Sequence, residues 1–171
     1  FSNLIYASLS DYYKSLQKAE ELIRKALNIQ HEVILNSNEN GYIFGLSESG
    51  VLLPNEESIV NYQSLSPIYE IFYSKIPISI NEIKKFNLIS NFEEKKFFVN
   101  QFNNYPKLSN QVRNKIINAN IIIYAPGTQH SSLYPTYFTK GLSEVLYQAK
   151  ALKIFITNIL HDNEIPGFSA S

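Results

Sequence analysis

The sequence predicts an α/β protein with a three-layered parallel sheet, part of which lies in this chain, and three observations predict it. Two apolar runs of strand length, Asn120 to Ala125 and Leu152 to Thr157, are continuous instead of alternating, the mark of strands covered on both sheet faces. Each run follows a helical pattern and leads into a polar loop, giving the order helix–strand–loop–helix–strand–loop over residues 109–167. That order reads as one right-handed crossover unit of a parallel sheet. With 171 residues, the chain is also long enough to bury a core without staples.

The elements follow in order. From Asn3 to Leu27, Leu4, Leu9, Leu16, Ile23 and Leu27 recur at helical spacing. Asp11 marks a break or cap, which gives either one long helix or a helical hairpin. Ser15 to Leu27 is amphipathic, with Lys18, Glu21 and Lys25 facing outward and Asn28 as the stop. His31 to Leu35 reads as a strand, Asn40-Gly41 as a turn and Tyr42 to Leu46 as a second strand, a β-hairpin pattern. Ser49-Gly50 turns again into Val51-Leu52-Leu53, and residues 54–60 form a short helix or an edge segment. Within 61–107, Ile68 to Tyr73 alternates like a strand and Asn81 to Phe86 fits one or two helical turns. Lys96 to Phe102 fits either element, and the whole stretch reads as a variable insertion. Ser109 to Ala119 is a capped helix with Val112, Ile116 and Ile117 on one face. Pro135 to Ala149 is a helix broken near Gly141.

Composition excludes several classes. Fifteen basic residues balance fifteen acidic ones, and the pI is about 7. A duplex-binding module shows a basic excess or stripe, so nucleic acid is not an expected partner. No apolar run approaches the roughly 20 residues that cross a bilayer, so no membrane span is expected and the cytoplasm is the expected compartment. The absence of cysteine excludes disulfides, thiolate zinc sites, iron–sulfur clusters and cysteine nucleophiles. Methionine is absent even from position 1, and the opening Phe1-Ser2-Asn3-Leu4-Ile5 has no signal-peptide pattern. The expectation is an internal piece of a longer protein.

Ligands of open parallel sheets bind outside the carboxyl ends of the strands, which singles out two loops. The first is Ala125-Pro126-Gly127-Thr128-Gln129-His130-Ser131-Ser132; the second runs from Asn158 to Phe168 through His161, Asp162 and Glu164. In the first, Gly127 permits close backbone approach or a positive φ, while Thr128, Ser131 and Ser132 bring hydroxyls beside a helix start. Phosphate binding and plain helix capping both fit these residue types. The loop lacks the lysine of a phosphate-cradling NTPase loop and is not a GxGxxG fingerprint. His31 reads as a surface residue at a strand start. Adjacent residues such as His161 and Asp162 rarely chelate one ion, so no metal site is assigned to them.

Four separated motifs resemble the CofD-like family, which holds the 2-phospho-L-lactate transferases and the gluconeogenesis factor branch. A family loop of type G-P-G-S-L-Y-T-S-x-x-P-N-L-L is matched by Ala125 to Thr136, and a G-I-x-E-A-L helix by Gly141-Leu142-Ser143-Glu144-Val145-Leu146. A strand end of type N-x-M-T-Q-P-G-E is matched by Asn158 to Glu164 with one residue fewer. The family's F-G-N-L-F-L-A-A-L start resembles Phe1 to Leu9, and its S-N-E-D segment resembles Ser37-Asn38-Glu39-Asn40. The resemblance covers residues 1–60 and 108–171, and hardly touches 61–107. Ala125 stands where the family has Gly, His130 where it has Tyr, and His161-Asp162 where it has Thr-Gln.

The resemblance implies a Rossmann-like fold, of which this chain is the C-terminal portion of a single domain. A Gly-rich first loop would lie in the family's N-terminal half. It implies a small-molecule, nucleotide-type ligand, with Gly127, Thr128, His130, Ser131, Ser132 and Asn158 at its phosphates. Asn3, partly buried on its helix, would face the ligand, and Phe168 would stack on the nucleobase in place of a family Tyr. Asn3 as a buried residue satisfied by backbone, His130 as an exposed loop residue and Phe168 as a core residue stay open alternatives. The function implied is a nucleotide-sugar-binding protein of the gluconeogenesis factor kind, regulating carbon metabolism or envelope synthesis. The alternatives are a Mg²⁺-dependent transferase of a phosphorylated hydroxy acid, and an interaction domain whose site has degraded. Association into a homo-oligomer stays open.

Overall fold

The computed structural model describes residues 2–62 and 64–159. These residues divide after Asn36 into two compact units, each considered by itself.

The first unit is a helical hairpin of α1 (Ser2–Tyr13) and α2 (Leu16–Ala26). The break falls at Lys14, not at Asp11: Lys14 takes a left-handed φ of 50°, and Ser15 caps α2 by accepting from the Lys18 amide at 3.2 Å. Asp11 stays inside α1, within 2.6 Å of the Lys14 ammonium. At the far end Asn28 is again left-handed, at φ 53°, which stops α2 where the sequence puts the stop. The strand expected at His31 to Leu35 does not form. The amide side chain of Gln17 takes the place of a partner strand: its Nε2 donates to Val33 O at 2.9 Å, and its Oε1 accepts from Leu35 N at 2.8 Å. With those two groups satisfied by α2, the segment needs no ladder.

The second unit bears out the α/β class with two sheets. The antiparallel one has the order β2–β1–β3, with β1 (Tyr42–Ser47), β2 (Leu52–Leu53) and β3 (Ile68–Ser74). Its hairpin turns at Ser49-Gly50, where Gly50 has φ 78° and the Ser47 Oγ accepts from Val51 N. Alternation, reset by the register shift between Leu46 and Ser47, sorts its residues. Phe44, Leu46 and Phe72 face α4 (Ile80–Asn87) and α5 (Phe92–Asn100), where Phe86 and Val99 complete a core. The other face joins Leu53, Ile68 and Ile71 to Ile59 of α3 (Glu56–Val60), with Tyr134 and Phe138 packed against them. Residues 61–107 therefore supply a strand and two helices to the same core as β1.

The second sheet is the expected parallel pair, β4 (Ile121–Tyr124) and β5 (Leu152–Phe155), in register from Ile121↔Leu152 to Tyr124↔Phe155. Between them run a π-helical turn (Gln129–Leu133), α7 (Tyr134–Tyr137) and α8 (Leu142–Gln148), split at Gly141 with φ 90°. Ser109 caps α6 (Asn110–Ile117) as the sequence predicts. The expected burial of both strands is not met: Ile123 is 58% exposed and Phe155 61%. The described residues give this sheet two strands only. Moreover, α6 and α8 turn their apolar stripes toward one another, through Val112, Ile116, Leu142 and Val145, and in β4 only Ile122 and Tyr124 are half-buried, Tyr124 lying edge-on to Tyr137 at 6.1 Å.

Candidate functional site

Parallel register sends the loops after β4 and β5 off the same end of the sheet. One direct bond ties them: Asn158 Nδ2 donates to Gly127 O at 2.8 Å. Gly127 does not use a positive φ. A Cβ there would stand 3.2 Å from Leu133 Cδ2, a tight contact that the leucine side chain would have to relieve.

The curl itself is the π turn. Thr128 O accepts from Ser132 N at 3.3 Å and from Leu133 N at 3.1 Å, the wider ring that π geometry requires. Thr128 stands at the N-cap, yet its side chain makes no capping bond. Its Oγ1 instead lies 2.8 Å from the Ser131 Oγ and 2.7 Å from the Ser132 Oγ. Three hydroxyls thus converge on one patch where Thr128 and Ser132 are exposed. The patch is neutral and can donate or accept, a chemistry suited to phosphoryl oxygens.

Sequence reasoning places His130 in an exposed loop or at a phosphate; the structure buries it, 4% exposed, edge-on to Tyr134 at 5.1 Å. His130 lies within the π turn, where it is the buried residue. Asn3, expected to be partly buried, is exposed in the first turn of α1, a helix that buries none of its residues. Phe168, His161, Asp162 and Glu164 lie outside the described residues. Among those described, no three His, Asp or Glu side chains converge as an ion would need.

A cleft of about 520 Å³ opens beside the loop. Ser131 and Pro135 form one wall, and the starts of β1 and α3 form the others through Tyr42, Glu56 and Glu57. Tyr73 closes it, with its hydroxyl donating to Pro135 O at 3.3 Å. Burial, and then the carboxylate of Glu56, hold the Tyr73 phenol above its usual range. Gly41 is needed for that ring, since a Cβ would come within 2.9 Å of Tyr73 Cδ1. Sequence reasoning missed Glu56, Glu57 and Tyr73. The signal present was Asn55-x-x-Ser58, which announces a capping box, and Glu56 and Glu57 pass there as dipole partners of a helix start.

Comparison with known proteins bears on the whole chain. The gluconeogenesis factor of Halalkalibacterium halodurans is 24% identical over 173 residues, taking in 99% of this chain and 44% of its own length. That of Listeria innocua is 25% identical over 158 residues, with 92% and 40% covered. A crystal structure of a Bacillus halodurans protein matches at a TM-score of 0.72 and 20% identity, covering 99% of this chain and 45% of that one. A second, of a UPF0052 family member from that organism, matches at 0.66. The chain thus spans less than half the length of these relatives, and likeness at such identity shows the shared fold. The family model described as 2-phospho-L-lactate transferase CofD runs from residue 1 to residue 171, taking in both loops, and the chain belongs to the CofD family.

Proposed function

We propose that this chain forms part of a cytoplasmic nucleotide-sugar-binding protein of the gluconeogenesis factor kind, acting as a regulator of carbon metabolism or envelope synthesis. One observation carries the reading. Thr128 gives up the cap that its position offers and binds two other hydroxyls instead, so Thr128, Ser131 and Ser132 are held together for a purpose other than ending a helix. Phosphoryl oxygens suit such a patch, and Asn158 fixes the loop behind it. Phe168 is proposed to stack on the base, a contact that needs a ring face and no hydroxyl. The names of the relatives support the regulatory role.

A second reading draws on the family description, transfer of a phosphorylated hydroxy acid, for which the family resemblance implies Mg²⁺. The three hydroxyls would be neutral ligands at best, and Mg²⁺ prefers carboxylates and phosphates, so no step is assigned to it here.

The test is calorimetric titration of the full-length protein with uridine diphospho-sugars, alongside Thr128→Val and Ser131→Ala. Each variant is expected to bind about 1.5–3 kcal/mol more weakly, the range for hydrogen bonds to charged groups. Unchanged affinity in both refutes the assignment. Turnover of a phospholactyl donor with Mg²⁺, abolished in the same variants, would favour the transferase.

A further inference from the structure

The cleft beside Ser131 has a chemistry different from that of the hydroxyl patch, and the two share a wall. We infer that this cleft takes the uncharged, hydroxyl-rich head of the ligand, with Glu56 and Glu57 as its acceptors and Tyr42 and Tyr73 as its apolar surface. The inference rests on the phosphate reading of Thr128 and Ser131, and extends it to the ligand's other half.

Three observations support it. First, the space is sufficient. About 520 Å³ lies within the range of small-molecule sites. Second, the lining sorts ligands by charge. Glu56 and Glu57 are exposed, and neither carboxylate has an ion-pair or hydrogen-bond partner among the described residues. Two unneutralised carboxylates repel a phosphate, so the anionic part of a ligand belongs on the hydroxyl side of Ser131. Carboxylates do accept bonds from sugar hydroxyls, while the rings of Tyr42 and Tyr73 with Pro54 and Pro77 offer flat surfaces to a sugar's C–H faces. Third, the two places are adjacent. The Ser131 hydroxyl belongs to the patch, 2.8 Å from Thr128 Oγ1, and the same residue lines the cleft.

A cationic head is the competing occupant, because two carboxylates also attract an ammonium. Charge and shape can be separated. The full-length protein is titrated with UDP, UDP-glucose and UDP-glucosamine, as wild type, as Glu56→Ala/Glu57→Ala and as Glu56→Gln/Glu57→Gln. The expected result is that wild type binds UDP-glucose more tightly than UDP. The alanine pair should lose about tenfold for UDP-glucose, the factor carried by one hydrogen bond to a charged acceptor, and nothing for UDP. The glutamine pair keeps acceptor oxygens and should retain most of the gain. A wild type that prefers UDP-glucosamine, with the preference gone in the glutamine pair, overturns the uncharged head in favour of a cation. Equal binding of UDP and UDP-glucose by wild type overturns the cleft assignment and leaves the phosphate reading standing. Binding of none of the three overturns both.

Discussion

The antiparallel and parallel sheets of the second unit are made of similar residues and are buried to opposite extents. Phe44 and Phe72 stack at 5.3 Å between centroids and are sealed by α4 and α5, whereas Ile121, Ile123, Leu152 and Phe155 face outward. Burial is decided by what packs on a run, and an apolar run alone does not decide it. The difference divides labour. The antiparallel sheet holds the core, and the parallel pair sets the register that brings Gly127 and Asn158 within bonding distance.

The largest expected effect tests that division directly. Phe72→Ala removes a fully buried ring from the antiparallel core and should cost about 3–5 kcal/mol in urea unfolding of this 171-residue chain. Ile123→Ala on the exposed pair should cost within about 0.5 kcal/mol, as surface changes do. Similar losses at the two positions would show that something covers β4 in solution and would end the contrast.

A smaller effect sharpens it at the helix starts. Asn91 accepts from two amides, Glu93 N at 2.8 Å and Glu94 N at 3.2 Å, so Asn91→Ala should lower stability by about 1 kcal/mol. Thr128 occupies the same kind of position in the loop after β4 and caps nothing. Thr128→Val should therefore leave the melting temperature nearly unchanged, although binding falls. A melting loss equal to that of Asn91→Ala would return Thr128 to a structural role.

What the sequence made legible follows the same division. Local signals succeeded wherever local bonds dominate. Ser109 caps α6, Gly50 turns the hairpin with φ 78°, and Gly141 splits the 135–149 helix with φ 90°. The family motifs also located the loop after β4, because hydroxyls and glycine persist there in order. Misreadings occurred where a distant or neighbouring partner decides. Gln17 removes the 31–35 strand from 16 and 18 residues away. Asn3 stays exposed because α1 buries nothing, and His130 is the buried residue of a π turn, which no three- or four-residue periodicity announces. The cleft was illegible for another reason. Tyr42, Glu56, Tyr73 and Ser131 meet only after both β1 and β3 pair and the loop folds over them.

The smallest expected effect is a pH dependence within the antiparallel sheet. Glu70 sits opposite Leu46 in β3, and burial holds its carboxyl above the usual range, with Lys96 and the Tyr105 hydroxyl opposing part of that rise. Because the folded value exceeds the unfolded one, the folded state binds the proton more tightly. The protonated side chain is therefore tolerated below the unfolded value, and that stability is lost as pH rises through the folded one. Above it, the buried charge is a standing cost. Glu70→Gln removes the titration and keeps the shape, so it should melt slightly higher than wild type at pH 7 and equally at pH 3. The parallel pair supplies the control: Lys153 on β5 donates to Ala149 O, and Lys153→Met should show no such crossover in the acid range. A Glu70→Gln protein that gains nothing on moving from acid to neutral pH would mean that Lys96 neutralises the carboxylate fully, and that the sealed side of the molecule tolerates charge as readily as the bare one.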